Sequence, residues 1–209
     1  MSSDQANEFK SALDEALSKF GIDSLDEGQR RQLITHYSML RRWNQRLNLT
    51  RIIEPDEAAR LHYAESLFGA RFIDGERTLL DIGSGAGFPA IPLAVAKPQL
   101  LVTALDANNK KSLFLKEVKD ELGLDNLKVV TARLDEYDWA GQEILTSRAL
   151  DRAELVLPLL IGRLKPGQRL MLYCGPELMA KLEGEVNRRI ETHQIPHSKT
   201  RLIAIISQD

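Results

Sequence analysis

Apolar residues recur along the first part of the chain with the spacing of one helix face. Phe9, Ala12, Leu13, Ala16, Leu17 and Phe20 fall at i, i+3, i+4, i+7, i+8 and i+11, and Gly21 is placed to stop that helix. Ser24 with Glu27 makes a capping-box pattern, which predicts a second helix running to about residue 47 with Leu33, Tyr37, Leu40 and Leu47 among its apolar positions. Asn48-Leu49-Thr50 breaks it. Pro55 suits a first helical turn, so a third helix is predicted over 56–72. No strand pattern precedes residue 76. From Thr78 the period changes. Short apolar runs at 78–82, 100–105, 127–131, 143–147, 168–174 and 200–206 read as strands, with a shorter one at 189–195. Helical stretches at 88–96, 109–122, 151–163 and 176–188 alternate with them. This alternation predicts an α/β domain over 76–209, its mostly parallel sheet covered on both faces, after a helical extension over 1–75.

In such sheets ligands bind outside the carboxyl ends of the strands, near the point where strand order reverses. Gly83, Asp106, the turn at 132–135 and Arg148 all fall at predicted strand ends on that edge. The first strand turns into a helix through Gly83-Ser84-Gly85-Ala86-Gly87, and a turn of glycines lets a ligand lie against bare backbone. Asp81 stands two residues before the first glycine, and Asp106 ends the second apolar run, placed to accept hydrogen bonds from a ribose. A dinucleotide fold usually has a third glycine where this chain has Phe88. S-adenosylmethionine has no phosphate to cradle. It carries an amino group, a sulfonium and a ribose diol, which nearby acids suit. The pattern favours S-adenosylmethionine over a dinucleotide, and over a glycine turn with no ligand.

Composition narrows the setting. The chain has 209 residues, 43% of them hydrophobic, enough for one globular domain with an appendage. No apolar stretch approaches the roughly 18 residues of a membrane span. The first ten residues are polar and acidic, unlike a signal peptide, and the single cysteine, Cys174, fits a reducing cytoplasm. The net charge of -2 is unevenly spread. Residues 1–29 hold seven acids against two lysines, whereas 30–60 hold seven arginines against three acids. Such a band can contact phosphates while the remainder stays near neutral. Within it, Trp43-Asn44-Gln45-Arg46-Leu47-Asn48-Leu49-Thr50-Arg51 mixes arginine, amide and indole, a composition that suits RNA and equally a solvated helix face.

Other polar residues also have two readings. His62 on the third helix is placed to touch RNA or the cofactor loop, or to sit inside the fold. His193 and His197 lack the further ligands a metal needs. Lys110 and Lys111 open a helix, where a cation opposes the helix dipole, so a partner anion is one explanation and solvation the other. Ser147-Arg148-Ala149 occupies the strand end where an acceptor must meet the methyl group, in place of the Asn/Asp-Pro-Pro-aromatic run common among exocyclic-amine methyltransferases. Cys174 follows Tyr173 on a different strand and reads as a buried, inert thiol rather than a nucleophile for cytosine C5. The chemistry therefore points to a ring nitrogen with a free lone pair. Guanine N7 carries no proton at neutral pH, so catalysis there needs alignment rather than a general base.

Together, Trp43-Asn44 with Leu47-Asn48-Leu49-Thr50, His62 with Ser66, the run from Asp81 to Pro89, and Ser147-Arg148-Ala149 resemble the glucose-inhibited division protein B family, bacterial 16S ribosomal RNA guanine-N7 methyltransferases. The resemblance spans roughly residues 38–206. It implies a Rossmann-like class I methyltransferase with a seven-stranded sheet and an N-terminal helical extension. It implies S-adenosylmethionine as cofactor and 16S ribosomal RNA or the small ribosomal subunit as partner, with no membrane or metal, for a cytoplasmic monomer. The expected cofactor-binding residues are Asp81, Gly83, Gly85, Gly87, Phe88, Asp106, Leu134, Asp135 and Arg148. Arg148 is also the expected catalytic residue, and Arg41, Arg42, Arg46, Asn48, His62, Lys110 and Arg133 are the expected RNA contacts. Two departures stand out: Tyr173-Cys174-Gly175 where the family tends to have Leu-Lys-Gly, and Glu65 where it tends to have Asp. A small-molecule methyltransferase and a non-catalytic cofactor- or RNA-binding module are the competing functions.

Overall fold

The computed structural model describes residues 3–148, 150, 153–185 and 190–207. Ala149 of the Ser-Arg-Ala run lies outside them, as do residues 151–152 and 186–189 of the predicted helices and strand.

Helix α1 (Ser3–Lys19) turns its predicted stripe inward, and Phe9, Leu13 and Leu17 are fully buried. Phe9 stacks on Tyr37 of α2 (Glu27–Leu47) with ring centroids 3.8 Å apart. The cap of α2 differs from the expected Ser24–Glu27 pair. Asp26 Oδ1 accepts from the Gln29 amide at 2.8 Å, and Gln29 Oε1 accepts from the Asp26 amide at 2.9 Å. An acid-x-x-Gln sequence satisfies the same two orphan donors. This register also lets the Gln29 side chain donate to the Val95 carbonyl at 2.9 Å, tying the helix start to the segment that follows the glycine turn. At its other end Asn48 adopts a left-handed conformation, φ 47 and ψ 51, which asparagine tolerates.

The predicted third helix is one run of mixed character: α3 (Pro55–Glu57), a π-helical stretch (Ala58–Ala64), α4 (Glu65–Phe68) and a 3-10 turn (Gly69–Phe72). Then follow β1 (Thr78–Ile82), α5 (Ala90–Ala96), β2 (Leu101–Asp106), α6 (Asn109–Leu122), β3 (Leu127–Thr131) and a 3-10 turn (Leu134–Glu136). The chain continues as β4 (Ile144–Ser147), α7 (Ala153–Arg163), β5 (Arg169–Cys174), α8 (Pro176–Glu185), β6 (Ile190–Gln194) and β7 (Leu202–Ser207).

The seven strands lie in the order β3-β2-β1-β4-β5-β7-β6. The five from β3 to β5 are parallel, and β7 runs antiparallel to both β5 and β6. Strand order reverses between β1 and β4, because the chain builds outward through β2 and β3 before crossing back. There the Ser147 hydroxyl donates to the Ile82 carbonyl at 2.8 Å, pinning the two strand ends together.

Alternate strand residues feed two cores, as the pleat requires. Leu79 joins a cluster with Leu13, Tyr37, Tyr63, Phe88 and Phe114, while Leu80 joins Leu145, Leu157 and Leu172 on the opposite face. The helical extension and one sheet face therefore share a single core, and residue 75 marks a change of topology within it. Arg169 of β5 adds an ion pair to Glu76 at the junction.

Tyr173 locks the two parts. Its hydroxyl donates to the Ser66 carbonyl at 2.9 Å, directly beside Gly69. A Cβ at Gly69 would sit 2.0 Å from that hydroxyl oxygen and 2.9 Å from Cζ. The ring is buried and its hydroxyl is held by the Ser66 carbonyl, so making room for a methyl group there breaks that hydrogen bond or strains the packing. Gly69→Ala is expected to destabilise the protein by about 1–3 kcal/mol through overpacking. Adding Tyr173→Phe should recover part of that loss, a non-additivity that urea denaturation of the single and double variants measures.

Candidate active site

The glycine turn stands at the strand reversal. Gly83, Gly85 and Gly87 have φ of 72, 55 and 92, the left-handed region that side chains disfavour. A Cβ at Gly87 would lie 2.2 Å from Ile91 Cδ1, so this glycine, not position 88, lets α5 pack closely. A Cβ at Gly83 would meet no protein atom within 4 Å, so the turn presents bare backbone outward there. The amides of Gly83 and Ser84 donate to the Leu105 carbonyl at 2.8 and 3.1 Å, fastening the turn to the end of β2. Asp106 completes that attachment. One carboxylate oxygen accepts from the Gly85 amide at 2.9 Å and the other from the Asn108 amide at 2.8 Å. Each oxygen keeps a second lone pair for a ribose hydroxyl.

Asp81 is fully buried beneath the turn. Its Oδ2 accepts from the Ala90 amide at 3.3 Å, while Oδ1 has no hydrogen-bond partner. Burial, the largest influence, pushes its pKa up to about 7, against the opposing pull of Ser84, the Ala90 amide and Arg148. A carboxylate with one unsatisfied oxygen beside an open glycine turn suits a cationic ligand. The donor set thus fits S-adenosylmethionine: a bare backbone turn, a ribose acceptor and an acid for an ammonium or sulfonium group.

The extension grips this turn through His36, which the sequence patterns did not single out, and through His62, which they did. His36 is fully buried on α2, with Nε2 3.1 Å from the Ala86 carbonyl and Nδ1 3.0 Å from the Tyr63 hydroxyl. A carbonyl can only accept, so Nε2 carries the proton and Tyr63 donates to Nδ1. His62 is stacked on Phe88 at 4.4 Å and is 4% exposed. Its Nε2 meets the Thr50 hydroxyl at 2.9 Å and its Nδ1 meets an Arg148 nitrogen at 2.5 Å. Both ring nitrogens are thus occupied inside the protein, and the expectation that His62 touches RNA gives way to an internal role.

Arg148 ends β4 as expected, but its guanidinium turns toward the extension. It donates to the carbonyls of Leu61 and His62 and to His62 Nδ1, and it lies 5.5 Å from the centre of the Phe88 ring. It also lines a cleft of about 600 Å³ with Leu150, Tyr173, Gly175 and Pro176 beside the ends of β4 and β5. Glu65, the acid that departs from the family tendency, is buried and lies 2.6 Å from Arg201. Cys174 is 1% exposed and burial pushes its thiol up to about 12, so it stays a protonated core residue.

The remaining candidates lie farther out. Arg42 and Arg46 are exposed one turn apart on α2, around a depression of about 290 Å³ shared with Trp43 and Glu117. Arg41 is half-buried against Tyr37, whose hydroxyl accepts from it at 3.4 Å, and Arg30 is paired with Asp14 at 2.5 Å. Asn48 is exposed, as is Lys110 in the first turn of α6, where the Asn108 side chain caps the helix. Leu134 and Asp135 form the 3-10 turn after β3, and Asp135 accepts from exposed Arg133 at 3.1 Å. No helix among the described residues is long and apolar enough to cross a membrane.

Solved structures place this arrangement in a class. The fold is similar to PigF with SAH, at 15% identity and a TM-score of 0.59 over 97% of this chain and 69% of that one. It is also similar to the Pyrococcus abyssi tRNA (uracil-54, C5)-methyltransferase in complex with S-adenosyl-L-homocysteine, at 22% identity and 0.56 over 75% and 39%. These likenesses define a Rossmann-like class I methyltransferase fold. Sequence relatives narrow it further. The ribosomal RNA small subunit methyltransferase G of Neisseria meningitidis serogroup C (strain 053442) is 39% identical over 68% of this chain and 68% of its own. That of Alkalilimnicola ehrlichii is 39% identical over 78% and 74%, and that of Alkaliphilus metalliredigens 33% over 86% and 78%. The family model of rRNA small subunit methyltransferase G matches residues 29–204, and the chain belongs to this family, the one its motifs resemble.

The buried titratable groups set a pH dependence of stability. Burial holds His36 and His62 at about 3, below the usual 6.5, so each contributes stability above pH 6.5 that is lost as pH falls toward 3. Asp81, raised to about 7, acts in the opposite sense: its contribution is present below its usual 3.8 and lost as pH rises through 7. Between about pH 4 and 6.5 the terms oppose each other. Asp81→Asn removes one of them, so its unfolding free energy should fall more steeply with acid than the wild type's, by roughly 1.4 kcal/mol per pH unit. Urea titrations at three pH values in that window check the slope.

Proposed function

We propose that this protein is a cytoplasmic, monomeric enzyme that transfers the methyl group of S-adenosylmethionine to N7 of a guanine in 16S ribosomal RNA. One observation carries the reading: a bare glycine turn, flanked by Asp106 and by Asp81 with its unsatisfied oxygen, stands at the strand reversal of a chain in the rRNA small subunit methyltransferase G family. When bound, the cofactor supplies an electrophilic methyl group on a positively charged sulfur. Asp106 accepts from the ribose, the 83–88 backbone takes the adjoining part of the ligand, and Leu134 with Asp135 closes the side nearest β3. Asp81 faces the positive charge, which favours its ionised form.

Arg148 serves the acceptor. A guanidinium has five N–H donors, and the three contacts to Leu61 and His62 leave others to reach a guanine edge or a cofactor carboxylate. Its place beside the cleft at the ends of β4 and β5 suits that task. Guanine N7 needs no deprotonation, and no group here has to take a proton from it. Arg42, Arg46, Lys110 and Arg133, with Arg41 and Asn48 beside them, supply the contacts to RNA.

Incubating the protein with methyl-labelled cofactor and small subunits or 16S RNA, then mapping the modified nucleoside, tests the reading. N7-methylguanosine is expected, and Cys174→Ser should form it as the wild type does. A methyl group on cytosine C5, or none, overturns it. Asp106→Ala should weaken cofactor binding by about 1.5–3 kcal/mol in calorimetry, because it removes charge-assisted hydrogen bonds.

The arginine band has its own measurable signature. Each phosphate contact adds to the steepness with which RNA affinity falls as salt rises. Replacing Arg42 and Arg46 together with glutamine should flatten that slope in filter-binding titrations while leaving cofactor affinity unchanged. An unaltered slope would assign both to a solvated helix face.

A further inference from the structure

We propose that Thr50 is a positioning residue for methyl transfer: its hydroxyl fixes the tautomer of His62, so that the opposite ring nitrogen holds the Arg148 guanidinium at the end of β4. The proposal rests on the reading of Arg148 as the residue that serves the acceptor. It follows from which atoms can donate. Arg148 has only N–H donors, so His62 Nδ1, 2.5 Å from its terminal nitrogen, must accept with a lone pair. A neutral imidazole has one proton, which then stands on Nε2. Nε2 lies 2.9 Å from Thr50 Oγ1, so the hydroxyl oxygen must accept. Burial keeps the ring neutral, so both nitrogens cannot carry protons together.

Thr50 is itself held in place. The Asn44 side chain donates to the Thr50 carbonyl at 3.0 Å and accepts from its amide at 2.9 Å, and the Ile52 amide donates to Thr50 Oγ1 at 3.1 Å. A continuous set of hydrogen bonds thus runs from the end of α2 through Thr50 and His62 to Arg148. Phe88 backs the ring from the glycine turn, 4.4 Å away and nearly parallel at 14°. The alternative tautomer would aim Nδ1–H at the N–H groups of Arg148 and push the guanidinium away. Thr50→Val keeps the shape and removes the side-chain acceptor, leaving Nε2–H only the weaker hold of the Ile52 backbone. Thr50→Ser keeps the oxygen.

The experiment pairs kinetics with ring NMR on the full-length protein. Spectra of nitrogen-labelled histidines, with the His62 signals assigned by their loss in His62→Asn, should show protonated Nε2 and unprotonated Nδ1 in the wild type. Thr50→Val should lose that pattern and lower kcat about tenfold or more, with the cofactor KM changed less than about threefold, since misplacing one group near the reacting atoms acts on the transition state. Thr50→Ser should recover most of the rate and the wild-type ring signals. A wild-type ring protonated on Nδ1 overturns the proposal without any variant, even if Thr50→Val fails to fold. Equal kcat in Thr50→Val and the wild type overturns it as well. Absent methyl transfer with the expected ring signals would fault the functional reading and not the hydrogen-bond set, whereas intact transfer with the wrong tautomer would fault the set alone.

Discussion

The carbonyl of Ala86, at the middle of the glycine turn, accepts a hydrogen bond from His36 across 3.1 Å. A turn of alternating glycines has wide conformational freedom, and a ligand that binds its backbone must otherwise bear the cost of ordering it. His36 reaches in from the helical extension and removes part of that freedom in advance. Its own orientation is set by Tyr63, which belongs to the π-helical stretch. Phe88 at the end of the turn is held from the same side by the His62 ring. The turn proposed to bind the cofactor belongs to the sheet edge, but its order comes from helices outside the sheet.

This arrangement explains why the two parts share one core. Burial holds His36 neutral well into the acid range, and Tyr63, Phe88 and Phe114 pack around its ring. Asp81 is buried beneath the turn, where burial likewise favours the neutral form, and an arriving cation would favour the ionised one. Burial thus does two things at this edge: it fixes the donors that hold the turn, and it leaves one acceptor unsatisfied.

Strands 78–82 and 127–131 and the helix over 109–122 were legible because apolar runs there end at glycines, an asparagine cap or charged turns, and β1, β3 and α6 match them. The α2 cap differs from the expected pair because Ser24 and Asp26 both offer an oxygen, and the Asp26 register also lets Gln29 reach the Val95 carbonyl. His36 left one local sign, its place in the stripe of Leu33, Tyr37 and Leu40, where a histidine must either be satisfied internally or be expelled. The partners of Arg148 left none, since Leu61 and His62 lie 87 and 86 residues away. Helical periodicity over 56–72 was readable, but nothing in it signalled the π-helical stretch. Arg41 and Arg30 read as part of an exposed band, yet tyrosine and aspartate neighbours take them inward.

Tyr173 donates to a carbonyl 107 residues earlier in the chain. During synthesis the third helix therefore leaves the ribosome long before the strand that locks it exists. At about 5–20 residues per second, that interval is on the order of 5–20 seconds. In that interval Tyr63 and Phe68 can pack only on earlier elements such as Phe9 and Phe20 of α1, and the Ser66 carbonyl waits for its Tyr173 partner. The nascent extension is an aromatic-rich core that stays half-finished until β5 and β7 supply Met171, Tyr173, Ile203 and Ile205.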